Sequence, residues 1–332
     1  MDLLKLIRAN SEDLKGTPFW TGLAAVVRHV ERAESYLVRG RDEKDSDYFN
    51  DVIYRTNQAY EGILKEAYGL LAGKDSGRLR TAELENHFAK EAILSPRVSD
   101  AFQKYRQEWR NPSTHDHRLS FTEQDATLAL STISTFVYLL VDQMIETASS
   151  RQQMKRTSKG KANDLRRFRN RKKSLGDKVA SVLMEDALRQ TLSSFSPNSR
   201  EVQILGTIHG HLSAALPDVK VEQDPLIQGE GFRLRPDIVA HNGETVVIEV
   251  KRFKKVPSTK VLEGLAQLER YLETLGAGEG VLYLVPSKGQ HDVVSMTVLR
   301  LVGGRAVAIH IVTPSSLIEN FDEVLAWPGW EG

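Results

Sequence analysis

Pro236-Asp237 stands twelve residues ahead of Glu249-Val250-Lys251 in RLRPDIVAHNGETVVIEVKRF, residues 233–253. Two carboxylates and an ammonium therefore fall in a stretch whose other residues are those of a buried strand. Side chains alternate along a strand, so Glu249 and Lys251 project to one side while Ile248 and Val250 project to the other. Asn242-Gly243 between the two segments is a hairpin signal, because both positions of a type I′ turn need positive φ. The turn puts Asp237 on the antiparallel neighbour of the strand that carries Glu249. Carboxylates so placed repel each other unless a cation lies between them, and hard divalent ions such as magnesium take oxygen ligands. A magnesium or manganese ion there would polarise a phosphodiester and activate water, while Lys251 would orient the nucleophile and stabilise charge on phosphorus. The competing reading of Glu249 and Lys251 is an edge-strand salt bridge, worth little to stability. Against it, TVVIEV at 245–250 has the pattern of a central strand, where unpaired charge is costly.

Asp237, Glu249 and Lys251 in this arrangement resemble the motif of the PD-(D/E)xK nuclease superfamily, and the resemblance covers roughly Leu175 to Val312. It implies a restriction-endonuclease-like mixed sheet flanked by helices and metal-dependent hydrolysis of nucleic acid, with DNA favoured. It further implies an acidic residue on the helix before the first strand. Glu201 is the best match, since with Leu205, Ile208 and Leu212 it forms one helical stripe and should face the sheet. Glu185, beside a stripe of Met184, Leu188 and Leu192, is the competitor. The implied metal ligands are Asp237, Glu249 and Glu201. Gln267-Leu-Glu-Arg-Tyr271 resembles a Gln-x-x-x-Tyr element of one branch of the superfamily, whose two polar residues share a helix face and are expected to touch the nucleic-acid backbone. The plainer alternative is a surface Gln and a half-buried Tyr.

A second constellation lies in QEWRNPSTHDHR, residues 107–118. Arg110, Asn111 and His115 resemble the Arg-x4-6-His motif of HEPN domains, with the polar residue after the Arg included, over about Asp47 to Ala148. The family implies an all-α bundle that pairs into a dimer and, in active members, cleaves RNA without metal. The chemistry is sound, because a histidine exchanges protons near neutral pH and an arginine holds a phosphate bidentately. The alternative is that Arg110 and His115 cap helices around Pro112 in a domain that only dimerises. His117 offers the longer permitted spacing.

The elements that must position these residues divide the chain in two. From Met1 to about Ala148 the periodicity is helical, as in Phe49 to Ala72 and Phe121 to Ile145. Ser120 with Glu123 predicts a capping box for the last of these helices. Gly40, Gly73, Gly77 and the polar run 39–45 predict breaks. Beyond Leu175, Gly176 to Phe195 predicts a helix and Ser199 caps a second one through Leu216. Strands are predicted at Val219 to Glu222, Arg235 to His241, Thr245 to Lys251, Gly280 to Val285 and Ala306 to Val312, with helices at Thr259 to Leu275 and Ser315 to Leu325. The expected organisation is a helical domain at 1–148, a basic linker at 149–175 and an α/β domain at 176–332.

At 332 residues two domains are the default. Apolar content of 40% and charged content of 27% are those of a water-soluble globular chain, and no apolar run approaches the length of a membrane span. The first residues, MDLLKLIRANSEDLKG, do not read as a secretory signal. The absence of cysteine excludes disulfides, thiolate zinc sites and cysteine nucleophiles, and fits a reducing cytoplasm. The net charge of +1 conceals residues 151–173, which alone carry +10. That block reads either as a solvated linker or helix extension, or as an arm that gains from counterion release on nucleic acid. Three functions follow as expectations: a metal-dependent nuclease, which the pairing of resembled domains places in bacterial antiviral defence; a HEPN-type RNase toxin whose second half targets nucleic acid; or a nucleic-acid-binding protein without catalysis.

Overall fold

In the N-terminal unit, Met1–Thr147, the helical periodicity becomes a bundle. The computed structural model describes residues 2–115, 120–160, 173–229, 232–253, 258–287 and 292–320. Helices α1 (Leu3–Glu12), α2 (Trp20–Glu43), α3 (Asp47–Ala67), α4 (Thr81–Glu91), α5 (Pro96–Tyr105), α6 (Asn111–His115) and α7 (Glu123–Gly160) account for most of this unit. Along α3, Val52, Thr56, Ala59, Tyr60, Ile63 and Ala67 are buried, three and four residues apart as an inward stripe requires. Tyr60 meets the rings of Phe102, Tyr105 and Phe136 at centroid distances of 5.0–6.1 Å, and its hydroxyl donates to Glu85 at 3.0 Å.

Several expected boundaries move. Gly40 lies inside α2 and does not break it; a Cβ there would stand 2.6 Å from the Phe49 ring, so the glycine serves close helix packing. The break falls at Lys44, in the left-handed region at φ 53°. The helix expected to end at Ala72 loosens into a π turn over Tyr68–Ala72 and stops at Gly73. The capping box of α7 is Thr122 with Asp125, not Ser120 with Glu123: the Thr122 N–H donates to the Asp125 carboxylate at 2.9 Å, and the Asp125 N–H donates to the Thr122 hydroxyl at 3.2 Å. Nor does α7 end near Ile145. It runs to Gly160, and its Glu123–Lys159 stretch is long and apolar enough to cross a bilayer, contrary to the expectation that no segment would be. Half of the most apolar window is buried, and Ile133, Phe136, Val137, Leu140 and Met144 are spent in the bundle core.

The C-terminal unit, Ala148–Gly332, is built on a mixed sheet. Its strands are β1 (Lys220–Gln223), β4 (Ile238–Asn242), β5 (Glu244–Phe253), β6 (Glu279–Pro286), β8 (Arg305–Pro314) and β7 (Val293–Val302), in that spatial order. A separate short hairpin joins β2 (Ile227–Gly229) to β3 (Phe232–Leu234). The β1–β4, β4–β5 and β7–β8 pairs are antiparallel; β5–β6 and β6–β8 are parallel. Helices α8 (Leu175–Leu183), α9 (Asp186–Ser193) and α10 (Glu201–Ala215) share one apolar core with Val246, Ile248 and Val250 of β5. Helix α11 (Ser258–Leu275) shares the other with Val247, Leu282 and Ile309. Both faces of β5 are thus covered, which is why its sequence is apolar almost throughout.

The single helix expected over 176–195 is two, because Glu185 is extended between α8 and α9. Arg200, not Ser199, precedes α10 as its N-cap. The Asn242-Gly243 turn is not type I′: Asn242 pairs with Glu244, and Gly243 alone turns the chain at φ 74°. Strand β7 was not expected, although Gly303-Gly304 between two alternating runs is a hairpin signal of the same kind. Of the expected linker, residues 149–160 are helical and 161–172 lie outside the described residues, as do 321–325 of the last expected helix.

Candidate functional site

Strand β5 is an interior strand, hydrogen-bonded to β4 and β6, so its charged residues are not edge decoration. The Ile238↔Ile248 register, continued one step, sets Asp237 opposite Glu249. Asp237 itself lies just beyond β4, where its carboxylate accepts the Val250 N–H at 2.7 Å. Glu249 is 1% exposed; its Oε1 accepts from Lys251 Nζ at 2.6 Å, and its Oε2 has no hydrogen-bond partner among the described residues. A buried carboxylate oxygen left without a donor is expensive.

Burial, and then the Glu249 charge, push the Asp237 carboxyl up to about 7, against the opposing pull of the Val250 N–H and Lys251. Burial also raises Glu249, although the hydrogen bond and charge of Lys251, and the nearby main-chain N–H of Asp237, counter it. For Lys251, burial acts against the ammonium, but its bond to Glu249 and the charges of Glu249, Asp237 and Glu201 outweigh it and raise the pKa. Lys251 is therefore a protonated donor and not a base.

Lys251 also donates to Gln267 Oε1 at 2.9 Å, Gln267 Nε2 donates to the Tyr271 hydroxyl at 2.7 Å, and that hydroxyl donates to the Arg235 carbonyl at 3.0 Å. The expected substrate-facing pair is thus occupied internally. Tyr271 is 4% exposed, and its one hydroxyl proton is spent on main chain. Gln267 and Tyr271 hold Lys251 and the 235–237 segment from α11.

Glu201 is the first residue of α10 and is exposed instead of facing the sheet. The apolar stripe that placed it inward takes effect only further along, at Ile204, Ile208 and Leu212. Its charge still reaches Asp237, Glu249 and Lys251, but no group of three His, Asp or Glu side chains able to enclose an ion occurs among the described residues. Glu185, the competitor, accepts from His211 Nε2 at 2.8 Å and belongs to a different cluster. Two carboxylates are what the structure brings together. With a buried free oxygen on Glu249, they are a donor set suited to a hard divalent ion that keeps waters in its remaining positions.

Three residues around this site escaped the sequence reading. Arg252, next to Lys251, donates to the carbonyls of Ser196 and Ser199 at 2.6 Å each, tying β5 to the loop that leads into Glu201. Arg235 pairs with Asp224 at 2.9 Å, and the Asp224 N–H donates to the Asp237 carbonyl at 3.0 Å. No spacing rule links positions so far apart in sequence; an arginine directly before Pro236 and another directly after the lysine were the only signals.

In the N-terminal unit, Arg110 closes a π turn over Arg106–Arg110 and pairs with Glu61 at 3.0 Å. Asn111 is exposed and opens α6, which ends at His115. The side chain of His115 and all of His117 lie outside the described residues. Ser113, between them, donates to the Trp109 carbonyl at 2.6 Å and accepts from Asn57 of α3 at 2.8 Å.

The described part of the basic block, 151–160, turns polar residues inward. Ser150 meets His209 Nδ1 at 2.8 Å, and Thr157 and Gln153 meet His211 Nδ1 at 2.9 and 3.2 Å. Arg151, Lys155, Arg156 and Lys159 remain exposed on the other side of α7. No protein-family model, curated protein or solved structure matches this chain.

Proposed function

We propose that the C-terminal unit hydrolyses phosphodiester bonds of nucleic acid, DNA in preference to RNA, with a magnesium or manganese ion held by Asp237 and Glu249, in the manner of PD-(D/E)xK nucleases. The observation that carries the reading is Glu249, buried on an interior strand opposite a half-buried Asp237, with a carboxylate oxygen that no donor meets in hydrogen-bond geometry among the described residues. A fold that buries two like charges without a partner for every oxygen pays in stability, and a divalent ion would offset that cost. Such an ion, when bound, supplies Lewis acidity and a lowered water pKa.

The chain's own residues do the rest. Asp237 and Glu249 bind through oxygen. Lys251, kept protonated, presents an ammonium 2.6 Å from Glu249 that can stabilise negative charge on the phosphate as it develops. Gln267 fixes that ammonium, Tyr271 fixes the segment bearing Asp237, and Glu201 adds negative potential from the rim. Exposed Arg151, Lys155, Arg156 and Lys159 supply sequence-independent attraction to phosphates.

The test is a cleavage panel of plasmid, linear DNA and RNA, with and without magnesium. The wild-type chain is expected to cut DNA only with the metal. Lys251→Ala should lower the rate by about a thousandfold, as loss of a charge-stabilising donor does, while the circular dichroism spectrum stays that of the folded chain, at some loss of melting temperature because Glu249 Oε1 loses its donor. Undiminished cutting by Lys251→Ala would overturn the assignment.

One observation favours a second reading for the helical unit. The π turn ending on Arg110 is a form of helix found often at functional sites. In this reading two HEPN-like units pair and cleave RNA without metal. Arg110 would have to exchange Glu61 for the scissile phosphate. RNA cleavage that survives EDTA and is lost in His115→Ala is the expected result; cleavage equal in both proteins removes the reading.

A further inference from the structure

We propose that Arg235 and Asp224 are positioning residues that fix the Asp237 carboxylate for cation binding. The inference rests on the metal-dependent reading above and adds residues that reading does not require. Residues 235–237 lie between β3 and β4, so no strand ladder holds them. Three contacts do so instead. The Tyr271 hydroxyl donates to the Arg235 carbonyl at 3.0 Å, the Asp224 N–H donates to the Asp237 carbonyl at 3.0 Å, and the Arg235 guanidinium donates to the Asp224 carboxylate at 2.9 Å. Between the two held carbonyls, Pro236 is buried and has its φ fixed by its ring.

Asp224 adopts φ 45°, in the left-handed region that costs most side chains energy and that Asp and Asn tolerate best. That conformation is what lets one residue present its N–H to Asp237 and its carboxylate to Arg235. The pair is a surface one by exposure, 25% and 39% for the two side chains, so its direct worth to stability is small. Its effect is geometric. Among the described residues the Asp237 carboxylate accepts one hydrogen bond, from Val250, and a single anchor leaves it free to pivot. Holding the main chain on both sides of Pro236 removes that freedom, and partners one step removed from a metal commonly change its affinity ten- to a hundredfold.

The experiment measures Mn²⁺ binding to the full-length chain by electron paramagnetic resonance, which needs no cleavage. Asp224→Asn keeps the N–H and tolerates the left-handed backbone while removing the charge; Arg235→Ala removes the other partner; Arg235→Lys is the conservative control. Each of the first two is expected to weaken Mn²⁺ binding about tenfold, the double variant no further than either alone, and Arg235→Lys by about threefold or less. Melting temperatures should stay within a few degrees of wild type. Mn²⁺ affinities within twofold of wild type in Asp224→Asn and Arg235→Ala would overturn the brace alone. A wild-type chain that binds no Mn²⁺ at millimolar concentration overturns the metal-dependent reading, and this inference with it.

Discussion

Two carboxylates facing each other in a dry strand environment work against the metal-free fold. Asp237 illustrates the sign. In the unfolded chain it ionises near the ordinary carboxylate value, whereas burial and Glu249 delay its ionisation in the fold to about 7. Stability is therefore fully present below the unfolded pKa and is lost as pH rises through the folded one. A shift of that size corresponds to roughly 3 kcal/mol, reduced from the full linkage value because solvent reaches part of the group. Asp237→Asn cannot ionise but can still accept the Val250 N–H through its amide oxygen. The metal-free variant should melt several degrees above wild type at pH 8 and close to it at pH 4, and magnesium should raise the melting temperature of wild type only. Parallel pH curves for the two proteins, followed by differential scanning calorimetry, would refute the charge-burial account. Arg252 is the residue-scale counterweight: each of its two terminal nitrogens donates to a carbonyl at 2.6 Å, so the cation beside Lys251 serves architecture.

At the scale of elements, β5 and α11 act as one device, with Lys251 on the strand and Gln267 and Tyr271 on the helix joined by an unbroken hydrogen-bond chain. Tyr271→Phe cuts that chain at its end and leaves the Arg235 carbonyl without its donor. The expected cost is about 1–2 kcal/mol of stability in urea denaturation and a cleavage rate reduced far less than in Lys251→Ala, because Lys251 keeps both of its own contacts; a rate equal to wild type would show that the Tyr271 hydroxyl positions nothing. The strand part of this device was legible in the sequence, because alternation and an apolar run are local properties of residues 245–250. The helix part was legible in its residue types but not in its role: spacing puts Gln267 and Tyr271 on one face, and only packing decides whether that face meets substrate or Lys251. Glu201 was placed inward by a stripe that its position in the first turn of α10 escapes. The Asp224–Arg235 pair and the Arg252 contacts close over 11 and 53 to 56 residues, and pattern carries no information at that range. Strand β7 is an edge strand whose alternation is blurred, because Leu299 and Leu301 stand on the same exposed face as Ser295 and Thr297.

For the whole molecule, the helix α7 decides where the C-terminal unit begins. Charge dominates the sequence of residues 151–173, and charge is what marks a linker; the residues that are buried at its described start, Gln153 and Thr157, and Ser150 just before it, are polar and carry no apolar signature. Their partners are two histidines of α10. His211 is 0% exposed, with Nδ1 facing Thr157 and Gln153 and Nε2 facing Glu185, and burial lowers the pKa of His209, whose Nδ1 faces Ser150. Between them, Gly210 lets α7 approach so closely that a Cβ would stand 2.1 Å from the Ser150 carbonyl oxygen. The end of α7 is thus part of the C-terminal core, and a fragment cut at the boundary the sequence favours, 176–332, would leave the Nδ1 of both histidines without the α7 partners they have here, while Nε2 keeps Val221 and Glu185. Each polar group so stranded costs about 1–3 kcal/mol, a large part of the stability of a domain this size. Residues 148–332 should melt cooperatively, 176–332 should melt at least 10 °C lower or without a cooperative transition, and Gly210→Ala in the longer fragment should fall between them. Equal melting of the two fragments by circular dichroism would return residues 148–160 to the status of a linker and leave the basic face of α7 free to be an arm.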